Sequence, residues 1–160
     1  MLIKSLILTP ALLVSAFAQV PATVARDYSF PPIGLASSET AQVNIWNSTL
    51  ASLAPNSTPP TCTGIVAFAN ASGAAVGSTV PFSTTGSQIF STELSFSKLA
   101  SSGTRAEFVV TIQANSTVAA LSHCSLVFSL ETFDTSTGAT HVFLGSPATS
   151  TPAPILIAGR

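Results

Sequence analysis

The sequence has 160 residues, and only 7% of them are charged, whereas a typical soluble domain has about 25%. Hydrophobic residues make up 46%, which is enough for one packed core of ordinary domain size. The formal net charge of −1 excludes a nucleic-acid-binding surface that depends on a high density of Lys and Arg. These values predict a single globular domain with an unusually uncharged surface.

Residues 1–18 have the pattern of a secretory signal peptide. Lys4 precedes an apolar run, and Ala16-Phe17-Ala18 forms a small-x-small cleavage motif, so we expect cleavage after Ala18. Thr9-Pro10 interrupts the run, which is also shorter than the roughly 20 apolar residues of a membrane-spanning helix. Retention as a membrane anchor is the less favoured alternative. The sequence predicts a secreted or periplasmic protein with no membrane span after cleavage.

The two cysteines are expected to form one disulfide, because thiols of exported proteins meet an oxidising compartment. A Cys62–Cys124 bridge closes a loop of about 60 residues, which is worth on the order of 4 kcal/mol. A metal site is disfavoured because the sequence has no CxxC or HxxxH spacing. His123 adjoins Cys124, but neighbouring strand residues point to opposite faces, which disfavours a catalytic thiol. No cofactor is predicted.

In chain order, the first half contains three predicted strands. Residues 19–33 lack periodicity and are expected to form a lead-in that lies over the domain or stays loose. The strands are expected over 41–47, 62–70 and 74–82, with a Pro-rich polar loop over 48–61 and a hairpin turn over 71–73. On the first strand, Val43 and Ile45 share one face, and Trp46 shares the opposite face with Gln42 and Asn44.

The second half alternates more regularly between apolar and polar residues. Strands are predicted over 87–97, 106–115, 124–133 and 139–145, with a turn over 134–138. The alternation slips at Phe133, which indicates a bulge or a strand end there. Residues 146–160 form a tail rich in Pro, Ser and Thr. It is interpreted as a linker, with docking of the apolar segment 155–158 on a sheet edge as the alternative.

About seven short strands predict an all-β fold, an antiparallel immunoglobulin-like β-sandwich over residues 34–145. Cys62 opens the second strand and Cys124 the sixth, and such strands lie in opposite sheets of a seven-stranded Greek key, so the disulfide would join the two sheets. A strand count that is wrong by one is the alternative. No Tyr precedes Cys124 by two residues and Trp46 lies on the first strand, so the likeness to antibody domains is one of architecture only.

Three segments carry a resemblance to a known group of proteins. They are residues 34–47, the cysteine-led strand and turn over 62–73, and residues 130–138, which have the form LE-x-FD-x-x-TG. Together they resemble small exported bacterial proteins of immunoglobulin-like shape. The resemblance implies the fold and export, and it supplies no catalytic residue.

Few residues are available for catalysis. His123 and His141 are the only imidazoles, and the sequence has no GxSxG, GxGxxG or GxxxxGK[ST] motif. A glycosidase carboxylate pair could be drawn from three residues at outward strand positions, where a solvated surface role is favoured: Glu93, Glu107 and Glu131. A copper site with both histidines lacks a third ligand. The protein is predicted not to be an enzyme.

Four asparagines begin an N-x-[ST] triplet, namely Asn47, Asn56, Asn70 and Asn115. In a eukaryotic source they could accept glycans. In a bacterial source, which the resemblance implies, they are interpreted as ordinary turn and strand-edge residues.

The leading hypothesis for function is a structural or interaction module of the periplasm or cell exterior. The alternative is a carbohydrate-binding sandwich, because an outward Trp46 beside polar residues can stack on a sugar ring. A hydrolase is the least favoured reading. The expected partner is a protein or a carbohydrate and not a nucleic acid, and weakly charged strand edges predict self-association.

Overall fold

The structure, a computed structural model, describes residues 23–49, 61–117, 124–145 and 150–152. The predicted signal peptide, Asn56 and His123 lie outside these residues. The described chain is built from strands and one short 3-10 helix at Phe96–Leu99. The strands are β1 (Thr23–Ser29), β2 (Ile33–Ala36), β3 (Glu39–Asn47), β4 (Cys62–Asn70), β5 (Val80–Thr84), β6 (Ile89–Ser95), β7 (Arg105–Thr117), β8 (Leu126–Asp134), β9 (Thr140–Gly145) and β10 (Ser150–Pro152). Among the described residues, no helix has the length and apolar character needed to cross a bilayer.

The strands form two antiparallel sheets, which confirms the predicted all-β sandwich and is compatible with an immunoglobulin-like architecture. The six-stranded sheet has the order β10-β1-β7-β4-β5, and β2 pairs with β7 on the same side as β1. The four-stranded sheet has the order β6-β3-β8-β9. The long strand β7 is central to the larger sheet because β1 and β2 share one of its edges and β4 takes the other.

The core lies between the two sheets and follows the alternation of each strand. On β3, Val43 and Ile45 are fully buried, as the sequence predicts. The neighbouring strand β8 and the opposing strands β4 and β7 bury their inward side chains in the same way: Phe128 and Leu130, and Val66, Phe68, Phe108, Val110 and Ile112. Because alternate residues point outward, the same register sends Trp46 to the outer face of the smaller sheet.

Three strands go beyond the prediction. Residues 19–33 are predicted as an aperiodic lead-in, but β1 pairs along seven residues of β7, and β2 follows it on the same edge. Arg26 and Asp27 interrupt any apolar pattern in β1, so its strand structure comes from pairing with β7 and from Tyr28, whose ring lies 4.6 Å from that of Phe128. Within the predicted tail, β10 pairs with β1.

The strand predicted over 74–82 is wrong in position. The strand β5 covers Val80–Thr84 instead, and residues 74–79 form an irregular connection with one isolated bridge between Ala69 and Ala75. Gly73 and Gly77 both have positive φ angles, which lie outside the strand region. Val76 between them is buried, so the segment follows the core without joining the sheet.

The disulfide joins the two sheets, as the cysteine positions predict. Cys62 opens β4 in the larger sheet, and Cys124 lies two residues before β8 in the smaller one, with their Cα atoms 5.9 Å apart. The Asn47 side chain is completely buried beside it, where its Nδ2 donates to the Thr84 carbonyl and to Cys62 Sγ, both at 3.2 Å. The bridge and this amide therefore close one end of the core.

Candidate functional site

Trp46 is exposed on the outer face of the four-stranded sheet, as predicted. It lies near the end of β3, and its side chain retains 44% of its accessible surface, while its neighbours Ile45 and Asn47 are fully buried. Burial of the neighbours on both sides fixes the backbone, so the indole is held outward by the strand. An exposed indole on a rigid strand is a pre-organised contact surface.

Trp46 is the centre of an apolar row across three strands. It pairs directly with Ile89 on β6 and with Val127 on β8, and Phe143 on β9 lies nearby on the same face. Ile89 and Phe143 keep 66% and 64% of their surface, respectively. In the described part of the chain, these four are the large hydrophobic side chains that stay exposed, and all lie on one face. We call Trp46, Ile89, Val127 and Phe143 the apolar platform.

The apolar platform surrounds a shallow depression with a volume of about 490 Å³. Its lining also includes three polar residues from the next row of the sheet, Asn44, Ser91 and Ser129, together with Phe128 and Gly145. A depression with apolar walls and a few convergent polar groups is the usual form of a small-molecule site.

The polar side of the depression is an ordered hydrogen-bond network centred on Asn44. Its Oδ1 accepts from Ser91 Oγ at 2.6 Å and from Gln42 Nε2 at 2.7 Å. Its Nδ2 donates to Glu131 Oε1 at 3.1 Å. Because partners on three strands fix the Asn44 amide, the polar groups next to Trp46 have defined positions before any ligand arrives.

Two of the three carboxylates considered for glycoside hydrolysis lie on this same face. Glu93 and Glu131 are the neighbours of Gln42 on either side, whereas Glu107 faces outward from the other sheet opposite Gly34. Two strand spacings place the Glu93 and Glu131 Cα atoms about 10 Å apart on an open sheet surface. Glu131 accepts from Asn44, so this carboxylate belongs to the polar network beside the apolar platform.

The structure reveals an acidic residue that the sequence analysis did not single out. Glu39, only 8% exposed, accepts from the Ala36 backbone N–H at 2.7 Å and from His141 Nδ1. His141 is the extra residue of a bulge, because Thr132 pairs with Val142 while Phe133 pairs with Thr140. The bulge is where the sequence predicts it, although the extra residue lies on β9. Glu39 belongs to the same alternating set of residues as the buried Ala41, Val43 and Ile45. That pattern was the sequence signal that its carboxylate points inward.

Glu39 gives the fold a defined pH dependence. The Ala36 N–H, more than His141, holds the pKa of Glu39 below its ordinary value of 4.5. A carboxyl with a lowered pKa in the folded state stabilises the fold above the unfolded pKa and loses this contribution as the pH falls through the folded pKa. We therefore expect Glu39→Gln to unfold more easily than wild type at pH 7, by about 1–2 kcal/mol.

This expectation is checked by urea unfolding of both proteins between pH 7 and pH 3. The difference in unfolding free energy between wild type and Glu39→Gln should shrink below about pH 4.5. Glu107→Gln, at an exposed strand position, is the matched control and should change little. His141→Ala should keep most of the pH dependence, and loss of all of it in that variant would contradict the leading role of the Ala36 N–H.

Three of the four predicted sequons lie in the described residues, and they have different surroundings. Asn47 is inaccessible in the folded protein, because its amide is buried and hydrogen-bonded beside the disulfide. Asn70 Oδ1 accepts from the backbone N–H groups of Ser72 and Ala74, so this residue shapes the turn after β4. Asn115 lies on the outer face of the larger sheet. Of the three described sequons, Asn47 is the one that the fold removes as a glycan acceptor.

No three His, Cys, Asp or Glu side chains of the described residues come together as ligands for a metal ion. No family model, no curated protein and no solved structure matches the chain. The resemblance to small exported bacterial proteins therefore stays a prediction from the three sequence segments.

Proposed function

We propose that the protein is an exported, non-enzymatic binding module that holds a neutral carbohydrate against the apolar platform. The observation that carries the proposal is the exposed Trp46 in the middle of an apolar row, next to the ordered amide of Asn44. A sugar ring has an apolar C–H face and a rim of hydroxyl groups. The indole can stack on the apolar face, and the Asn44 network can form hydrogen bonds with the hydroxyl groups.

The charge of this sheet favours a neutral ligand over an anionic one. Strands β3, β6, β8 and β9 contain no Lys or Arg, and Glu93 and Glu131 both lie on the outer face. A phosphate or uronate group would meet carboxylates there with no compensating cation from these strands. Neutral hydroxyl groups, in contrast, can donate to Glu131 and exchange hydrogen bonds with Gln42 and Ser91.

Export is part of the same proposal. The disulfide is consistent with an oxidising compartment, and the predicted signal peptide over residues 1–18 would direct the chain there. A binding module in that compartment meets cell-wall and environmental polysaccharides.

A protein partner is the second candidate for the same face. The observation that favours it is the high exposure of Ile89 and Phe143, at opposite edges of the sheet, which makes the apolar platform wider than the indole alone. Exposed apolar patches of this kind mark interaction surfaces in soluble proteins. In this case the module would be a structural or interaction component of the periplasm or cell exterior.

Trp46→Ala should weaken binding to a neutral polysaccharide at least about fivefold, because a stacked aromatic ring contributes on the order of 1–3 kcal/mol. The assay is affinity electrophoresis of the mature protein in gels that contain soluble neutral glucans, xylans or mannans. Trp46→Phe should keep part of the affinity. Ile65→Ala is the matched control, since Ile65 faces outward from the other sheet.

Equal retardation of wild type, Trp46→Ala and Ile65→Ala would contradict the carbohydrate proposal. Release of reducing ends from any of these polymers would contradict the non-enzymatic part of it. Co-purification of one protein from the exported fraction of the source, lost in Ile89→Lys, would favour the second candidate.

A further inference from the structure

We propose that two copies of this chain pair through their β9 edges into a two-fold dimer with one continuous eight-stranded sheet. The dimer is inferred from the properties of the β9 edge and does not depend on carbohydrate binding. Its consequence for the apolar platform rests on the proposed function, and separate experiments test the two.

The edge of β9 lacks the features that block pairing at the other edges of the described sheets. Strands β2 and β10 are only four and three residues long. Strand β5 carries Pro81, and β6 carries the exposed Glu93. Short length, proline, charge and β-bulges are the common protections of an exposed edge, and of these β9 has only the bulge at His141. Strand β9 has six residues without Pro, Lys, Arg, Asp or Glu.

The single ionisable residue of β9 already has a hydrogen-bond partner in its own chain. His141 is the bulged residue and donates from Nδ1 to Glu39 of its own chain. Beyond the bulge, residues 142–145 pair regularly with β8. The N–H and C=O groups that point away from β8 have no strand partner within the described residues. This regular, uncharged edge is suited to accept one more antiparallel strand.

A second copy of this chain is the occupant that the chemistry favours. Two identical strands related by a two-fold axis perpendicular to the sheet are antiparallel, and an uncharged strand brings no like charges together in that arrangement. Phe143, which is 64% exposed at this edge, would meet its counterpart across the seam. A charged peptide would find no complementary charge on β9.

The same axis keeps both outer faces on one side of the joined sheet. Phe143 shares the row of Gln42 and Glu131, so with Phe143 on the axis each Trp46 lies four residues along the strand from it, in opposite directions in the two copies. Five strand spacings across the sheet and about eight residues along it then separate the two Trp46 positions by roughly 36 Å. One long polysaccharide chain could contact both apolar platforms, so binding of a polymer would gain from bivalency, while binding of a short oligosaccharide would not. A short edge with one aromatic contact is smaller than a standard interface, so the dimer should be weak and dependent on concentration.

Sedimentation velocity over about a hundredfold range of protein concentration tests the pairing. We expect the wild-type sedimentation coefficient to rise with concentration from the monomer value toward the dimer value. Phe143→Lys and Phe143→Glu should each stay monomeric, because like charges then face each other across the seam. An equimolar mixture of the two variants should dimerise again, since opposite charges now meet.

The matched controls are Ile89→Lys and Ile89→Glu, at an equally exposed position of the opposite edge strand, and both should dimerise as wild type does. Trp46→Ala should also dimerise, although it loses carbohydrate binding. A monomeric wild type over the whole range would overturn the dimer and leave the carbohydrate proposal standing. Loss of dimer in the Ile89 variants, or its persistence in each Phe143 variant, would also overturn pairing at β9.

Discussion

The double variant Cys62→Ala, Cys124→Ala should unfold about 15 °C below wild type, with a free energy of unfolding lower by about 4 kcal/mol. The bridge spans 62 residues of sequence, so its removal frees a long loop in the unfolded chain. In the folded chain it connects the start of β4 to the segment before β8, which belong to different sheets. Thermal unfolding followed by circular dichroism measures this difference.

Reduction of the wild-type protein provides the control for this variant. Wild type in excess reductant should unfold at the temperature of the double variant, whereas the variant itself should not respond to reductant. A variant as stable as wild type would contradict the role given to the bridge. Two free thiols per chain in protein prepared without reductant would contradict its presence.

Gly64→Ala should be as damaging as loss of the disulfide, with an expected cost of about 4 kcal/mol. A Cβ atom on Gly64 would lie 2.1 Å from the Gln113 backbone oxygen on β7 and 2.5 Å from the Phe82 ring on β5. The ring could shift, but the oxygen belongs to a strand that pairs with β4 over eight residues. The methyl group therefore forces β4 and β7 apart at the centre of the larger sheet.

Gly103→Ala is the matched control, because a Cβ atom there would meet its nearest neighbour at 3.6 Å. It should change the free energy of unfolding by less than about 0.5 kcal/mol. Urea unfolding of the two variants and wild type gives the comparison. A Gly64→Ala protein within 1 kcal/mol of wild type, on the scale of an ordinary surface substitution, would show that β4 and β7 do not approach as closely as described.

The alternation of single strands predicts much of the fold. It gives the inward Val43 and Ile45, the outward Trp46, and the phase of Cys62 that predicts a bridge between the sheets. The turn after β8 is equally local, because Asp134 Oδ1 accepts from the backbone N–H groups of Ser136 and Thr137. These features depend on residues that are close together in the sequence, so the residue pattern predicts them directly.

What the sequence alone did not predict depends on register between distant strands. Ile89 and Phe143 belong to the apolar platform only because β6 and β9 lie in one sheet with β3, and strand alternation cannot give that order. The pair of Glu39 and His141 likewise needs the bulge in β9, which brings together residues 102 positions apart. β1 is a strand because β7 offers it an edge, against the pattern of its own residues.

The low charge of the chain has a structural counterpart in these strands. The four strands of the smaller sheet carry no Lys or Arg, and outward positions such as Ser91 and Ser129 hold hydroxyl groups where many soluble proteins place charges. The apolar platform therefore receives no cation from its own sheet, and the edge of β9 has no charge to block pairing. The proposals for a neutral ligand and for a β9 dimer both follow from this property.

A fluorescence titration of the mature protein with neutral polysaccharides tests carbohydrate binding at Trp46 directly. Trp46 is the only tryptophan, so all tryptophan emission comes from the apolar platform. Carbohydrate stacked on the indole should shift the emission to shorter wavelength in a saturable way and protect it from a soluble quencher. Unchanged emission and unchanged quenching at saturating concentrations across the panel of neutral polysaccharides would contradict carbohydrate binding at Trp46.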